Sequence, residues 1–219
     1  MGELLSRLIP LSLGAAVSPT VLALELVILS GKRAAGRATA FLAGVLLVFV
    51  GLTAIGLLLS HSASTSSAPD TITKAVDGTA GTLLLLLALG TVLRALTREN
   101  VSQVDDEIKD THDPGLLSAF LLGLAIMVTN FSTILLYLPA MRLISTAHIS
   151  TDDKVFAVVL AFLITTAPIL AIYGFAVGFP RLATPPLARL RRWIDRHQRT
   201  IGIAIEVIFG TYLLVKAFR

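Results

Sequence analysis

The chain has 219 residues, 55% of them hydrophobic and only 15% charged, with a mean hydropathy of +0.84 and a formal net charge of +4. Composition this apolar excludes an ordinary soluble domain and places the chain in a bilayer. The absence of cysteine excludes disulfide staples, thiolate metal sites and a thiol relay, and the histidines (His61, His112, His148, His197) fall in loops or at span ends, at spacings that match no metal motif.

About 20 apolar residues cross a bilayer as a helix, and stretches of that order recur along the chain. The first, residues 8–24, continues to Gly31 with Glu25 as its single charge. It is longer than a signal-peptide core and no small-residue cleavage site follows, so it is expected to stay as span one. Residues 38–60 form span two, where Ala40, Gly44, Gly51 and Gly56 are expected to let helix backbones approach closely. The small polar run HSASTSSAPDTITK, residues 61–74, reads as a solvated outer loop. Residues 78–93 form span three, and a polar stretch then leads to Asp113 and Pro114, a cap and first-turn proline for span four at residues 114–141. Residues 155–180 form span five, with Thr165, Thr166 and Pro168 as a polar break that acts as a hinge or a cavity wall; Tyr173 is expected at the interface or in bundle packing. In PRLATPPLARLRRWIDRHQR, residues 180–199, Leu187, Leu190, Trp193 and Ile194 share one helical face. A helix lying on the cytoplasmic interface is expected over residues 185–198, with Arg189, Arg191, Arg192 and Arg196 serving as topogenic charge and anchor or as a site for anionic headgroups. Span six, residues 200–215, is interrupted by Glu206 and flanked by Arg199, Lys216 and Arg219.

The expected fold is all-α: a polytopic membrane protein of six transmembrane helices in two inverted three-helix repeats, plus the amphipathic interfacial helix. The repeats are residues 1–98 and 114–219, joined by a polar cytoplasmic linker at 99–113. Spans three and six share a Gly-Thr pair followed by apolar residues and a base (Gly90-Thr91, Gly210-Thr211), and VSPT and VTNF occupy similar depths in spans one and four. A duplication with an odd number of spans per half must lie inverted. Twelve Lys and Arg residues fall on the side of the 1–2, 3–4 and 5–6 connections and six on the other, which places both termini outside a plasma (inner) membrane.

A proline inside a spanning helix removes a backbone hydrogen bond and clashes with the preceding turn, so Pro19 is expected to kink or break span one. Freed carbonyls are tolerated only against protein or a wet cavity, which is why broken helices line transport sites. Ser18, Pro19 and Thr20 in one half, and Thr129, Asn130, Ser132 and Thr133 in the other, are therefore the expected substrate-binding residues, both sets near mid-bilayer. An ordinary proline kink and a helix-bridging asparagine are the bland alternative. Glu25 and Glu206 lie at like depth, each roughly 10 Å from the cytoplasmic ends of spans one and six. A carboxylate there is protonated, paired or wetted. Two carboxylates in one cavity would suit proton coupling, whereas Glu25 paired with Lys32 or Arg33, or snorkelling, would be structural only.

The stretches LSLGAAVSPTVLALELVILSGKRAAGRATAFLAGVLLV and PLARLRRWIDRHQRTIGIAIEVIFGTYLLVKAF, with the region of Asn130, resemble the GAP/Sap family, glycolipid- and sulfolipid-addressing membrane proteins of the LysE transporter superfamily. The resemblance covers most of the chain and implies about six spans and outward movement of lipids or small solutes. Ser18 and Pro19 match the first-half motif, and Asn130 matches the asparagine of an Asn-Pro-Lys motif. Phe131 and Ser132 stand where that motif has proline and lysine, so no contact carries over there. The expected function is a secondary transporter or flippase-like exporter of a lipid, glycolipid or small amphiphilic solute; the alternatives are a non-transporting accessory subunit of a lipid export machinery and an amino-acid-like solute exporter. Expected partners are membrane lipids, the lipid or small-solute substrate and a second copy in a homodimer, with no nucleic acid, no cofactor and no metal. No nucleophile and base fall at one depth, so no enzyme activity is expected.

Overall fold

The computed structural model describes residues 1–31, 34–63, 69–96 and 115–218, and every described element is helical. In chain order these are α1 (Gly2–Ala16), α2 (Pro19–Leu29), α3 (Ala34–Ala63), α4 (Pro69–Leu96), α5 (Leu116–Val128), α6 (Phe131–Thr146), α7 (Thr151–Gly178) and α8 (Pro180–Phe218). The order of a broken pair followed by two long helices thus occurs twice. The linker at 99–113, with its cap Asp113, lies outside the described residues, as do Lys32 and Arg33.

Each break has a local cause. The residue before a proline is steered out of the helical region, and Ser18 is extended (φ −109°, ψ 99°), so α2 starts afresh with Pro19 in its first turn, bent by 48° from α1. The second break carries no proline. Thr129 turns its hydroxyl back onto the Ala125 and Ile126 carbonyls, Asn130 leaves the helical region (φ −81°, ψ 74°), and its side-chain oxygen accepts from the Thr133 N–H at 3.4 Å to start α6 at 70° to α5.

Two expectations need correction. Thr165, Thr166 and Pro168 do not break span five, because α7 runs unbroken from Thr151 to Gly178. The two threonine hydroxyls bond the carbonyls of Ala161 (2.8 Å) and Phe162 (2.7 Å) one turn back, which keeps their polarity inside the helix. Nor is residues 185–198 a separate interfacial helix: it continues into the last apolar stretch as one helix. Its stripe of Leu187, Leu190 and Ile194 packs on Ala23 and Leu26 of α2 and on Ile172, so that face is covered by protein, while Trp193 stays exposed.

By length and composition three helical stretches can cross a membrane, Ala34–Leu58, Thr151–Gly178 and Pro185–Val215, and counting each bent pair as one span makes five. Expected span three corresponds to the shorter apolar stretch Gly78–Val92 within α4, which is not among these five. Large exposed apolar residues such as Leu47, Val50, Leu86, Leu117 and Leu163 give the bundle a surface suited to acyl chains.

Packing depends on small residues where the expectation put them, with one exception. A Cβ at Gly44 would overlap the Phe120 carbonyl of α5, and one at Gly123 the Phe41 carbonyl of α3, so these helices cross backbone to backbone. Gly56 meets Met141 of α6 and Ala40 is packed against the core, whereas Gly51 faces open space. Around the centre, fully buried Tyr137 stacks edge-on against Phe49 (5.1 Å) and shares a 2.8 Å hydrogen bond with Thr53. Tyr137→Phe should lower stability by about 1 kcal/mol, read as a lower thermal midpoint in detergent, because Thr53 keeps its bond to the Phe49 carbonyl. Tyr173 packs within the bundle and is hydrogen-bonded to Thr39 at 2.7 Å.

Candidate functional site

The two breaks meet. Asn130 Nδ2 donates to Ser18 Oγ at 2.6 Å, which ties the start of α6 to the start of α2. Pro19 has no N–H to offer the Ala15 carbonyl one turn earlier, and the Thr133 hydroxyl approaches that carbonyl at 3.4 Å in its place. The second break thus supplies a donor that the first one lacks.

Beside this junction lies a cavity of about 290 Å³, lined by Ser18, Pro19, Thr20, Asn130, Ser132 and Thr133. Thr129 lines an adjoining cavity of about 190 Å³, which shares Thr20, Asn130, Ser132 and Glu206 with the first. All seven residues expected from sequence to form one site therefore lie around two adjoining cavities. Two new half-helices start at its wall, and their first N–H groups and dipoles suit an anionic or strongly accepting group.

Glu206 of α8 is only 8% exposed and lines both cavities. Its Oε1 accepts from Ser132 Oγ at 2.8 Å, and its Oε2 has no partner among the described residues. The carboxylate thus belongs with the second break rather than with Glu25. Glu25 is fully enclosed, lines neither cavity, and has no hydrogen-bond partner for either oxygen among the described residues. The expectation of two carboxylates facing one cavity is corrected: α2 turns Glu25 to the face it shares with Val21 and Ile28, toward the core. Snorkelling is excluded by the same burial.

Among the lining residues that went unrecognised as site residues in the sequence are Thr91 of α4, and Gln198, Arg199 and Gly202 of α8. A signal existed for the last two, since Arg199 and Gly202 fall seven and four residues before Glu206, on one helical face. Arg199 sits about 10 Å along the axis from Glu206 and forms no ion pair among the described residues, so the cavity offers a cation at one end and a carboxylate at the other. The arginines expected at the membrane surface do not line it. Arg189, Arg192 and Arg196 face outward, and Arg191 pairs with Asp195 at 3.7 Å. Thr165 borders a small void of about 20 Å³ behind Ser18 and Thr133, while Thr166 is buried against its own helix. Among the described residues no three His, Asp or Glu side chains are grouped as a metal site would need.

No curated protein and no solved structure matches the chain. The family model described as Sap, sulfolipid-1-addressing protein, matches residues 8–218, nearly the whole length including both helix breaks, and the chain belongs to that family.

Proposed function

We propose that the protein is a secondary transporter or flippase-like exporter in the plasma membrane, moving a lipid, glycolipid or small amphiphilic solute, and that it acts without enzymatic chemistry. Family membership supports a lipid-related role in the membrane. The observation that carries the transport reading is the Asn130–Ser18 bond: two interrupted helices, one from each half, joined beside a polar cavity. A cavity of this size accepts a headgroup or a small solute and leaves acyl chains in the lipid.

Six spans in two inverted repeats is the topology this reading uses, with both termini outside. It is supported by the repeated element order and by an exchange of packing partners: α3 packs on the broken pair α5–α6, α7 packs on the broken pair α1–α2, and α4 packs on α8. Glu206 is the proposed proton-coupling group, because among the described residues it alone brings a carboxylate to the cavity.

Purified protein in liposomes, tested on candidate lipids and solutes with and without a pH gradient, decides the matter. Wild-type protein should transport unaided; Asn130→Ala should lower the rate at least about tenfold, equivalent to about 1.4 kcal/mol. Glu206→Gln should abolish stimulation by the gradient. If the protein alone moves none of the candidates, the accessory-subunit reading replaces this one.

A further inference from the structure

The helix that carries Glu206 bears a second regularity, Gly202-Ile-Ala-Ile-Glu206-Val-Ile-Phe-Gly210, with a glycine four residues to either side of the carboxylate. Residues four apart share a helical face, so the three positions form one stripe along α8. The two glycines have opposite surroundings. At Gly210 a Cβ would lie 3.1 Å from the Gly81 carbonyl of α4, and a Cβ at Gly81 would lie 2.8 Å from the Gly210 carbonyl, so α4 and α8 touch backbone to backbone there. At Gly202 nothing lies within 4 Å, and this glycine forms part of the cavity wall with Thr91 of α4. The same pair of helices is thus sealed on one side of Glu206 and parted on the other.

A bare glycine on the inward stripe of a membrane helix lacks the close neighbour that makes glycine useful there. Across the cavity α4 contributes Thr91, and Ala88, a small buried residue, lies one turn before it on the face of Leu84. Glu206 lies between the two glycines, with one carboxylate oxygen unpartnered among the described residues. We propose that α8 rocks against α4 about the level of Glu206 between two small-residue contacts: Gly210 on Gly81, as in the present structure, and Gly202 on the Ala88–Thr91 stretch in a second state. Rocking closes the mouth lined by Thr91, Gln198 and Arg199 as it parts the opposite side, so the polar space opens in alternation. The device rests on the transport reading and names the moving parts that reading leaves open.

The natural chain contains no cysteine, so it is itself the background for cross-linking. Bridged Cβ atoms lie about 3.8 Å apart on average, and a Cβ at Gly202 has nothing within 4 Å in the present state, so the pair does not stand at that distance. Full-length Thr91→Cys/Gly202→Cys protein in liposomes, treated with a mild oxidant, should nevertheless lose its free thiols, and a control pair on the outward face of α4, Leu83→Cys/Gly202→Cys, should keep them. Thiols that persist in the first pair, or that vanish equally fast in the control, overturn the proposal, whatever the protein transports. Gly202→Leu supplies the second measurement. The side chain has room, so the thermal midpoint should match that of the unsubstituted protein, while transport should fall at least about tenfold, equivalent to about 1.4 kcal/mol. Undiminished transport by Gly202→Leu overturns the proposal. Cross-linking without transport of any candidate would uphold the rocking motion and count against the transporter reading alone.

Discussion

Gly123→Ala should cause a large loss of stability, about 2–3 kcal/mol, seen as a lower thermal midpoint in detergent. Alanine is the better helix former by about 1 kcal/mol, so propensity by itself predicts the opposite sign. Geometry decides. The added methyl would overlap the Phe41 carbonyl, and the facing Gly44 is equally tight against Phe120 and Leu124, so the atoms in the way are backbone and cannot rotate aside. Separating α3 from α5 would loosen a contact next to Met127, which lines the void behind Ser18, and should weaken the junction of the breaks as well. Gly51→Ala is the control: it faces open space and should be neutral or slightly stabilising. An unchanged midpoint for Gly123→Ala would mean that the two helices do not cross at this point.

Glu25→Met should change stability and activity in opposite directions. Both carboxylate oxygens are enclosed without a hydrogen-bond partner among the described residues, a situation that costs about 1–3 kcal/mol. Methionine has a similar length, is apolar and adapts to irregular space, so the substituted protein should unfold at a higher temperature, by the equivalent of about 2 kcal/mol. An ionisable side chain enclosed within a membrane bundle marks a functional position, and transport should fall in the same variant. A lower midpoint would show instead that a partner holds the carboxylate. Normal transport at raised stability would show that the buried carboxylate serves no step of transport.

Much of the candidate site was legible because its residues are out of place in an apolar run. Ser18-Pro19 and Asn130 interrupt stretches that otherwise read as plain spans, and both interruptions stand in the structure, bonded to each other. Glu206 was visible for the same reason. Its partner was not: counting depth from span ends paired it with Glu25, whereas the fold attaches it to Ser132. Depth is one coordinate, and a helix also has an azimuth that depends on which neighbours cover it. Thr165, Thr166 and Pro168 looked like a third break because proline and hydroxyls disfavour a helix. Within α7 the hydroxyls bond back to their own helix, and the interruption is absorbed.

What the amino-acid order determined by itself is whatever local chemistry decides: an all-helical apolar chain, the end of α1 at a proline, the stripe along α8, and membership of a family whose pattern runs through both halves. What only the tertiary structure decided is which faces meet. The apolar stripe of residues 187–194 could cover lipid or protein, and it covers α2; Gly202 and Gly210 are the same residue on the same stripe, yet one is in contact and one is bare. Periodicity assigns a residue to a face of its own helix, while contact depends on the crossing angle and offset of a second helix distant in sequence. Those are properties of the packed bundle, set where glycine carbonyls and side chains of both halves come within van der Waals reach.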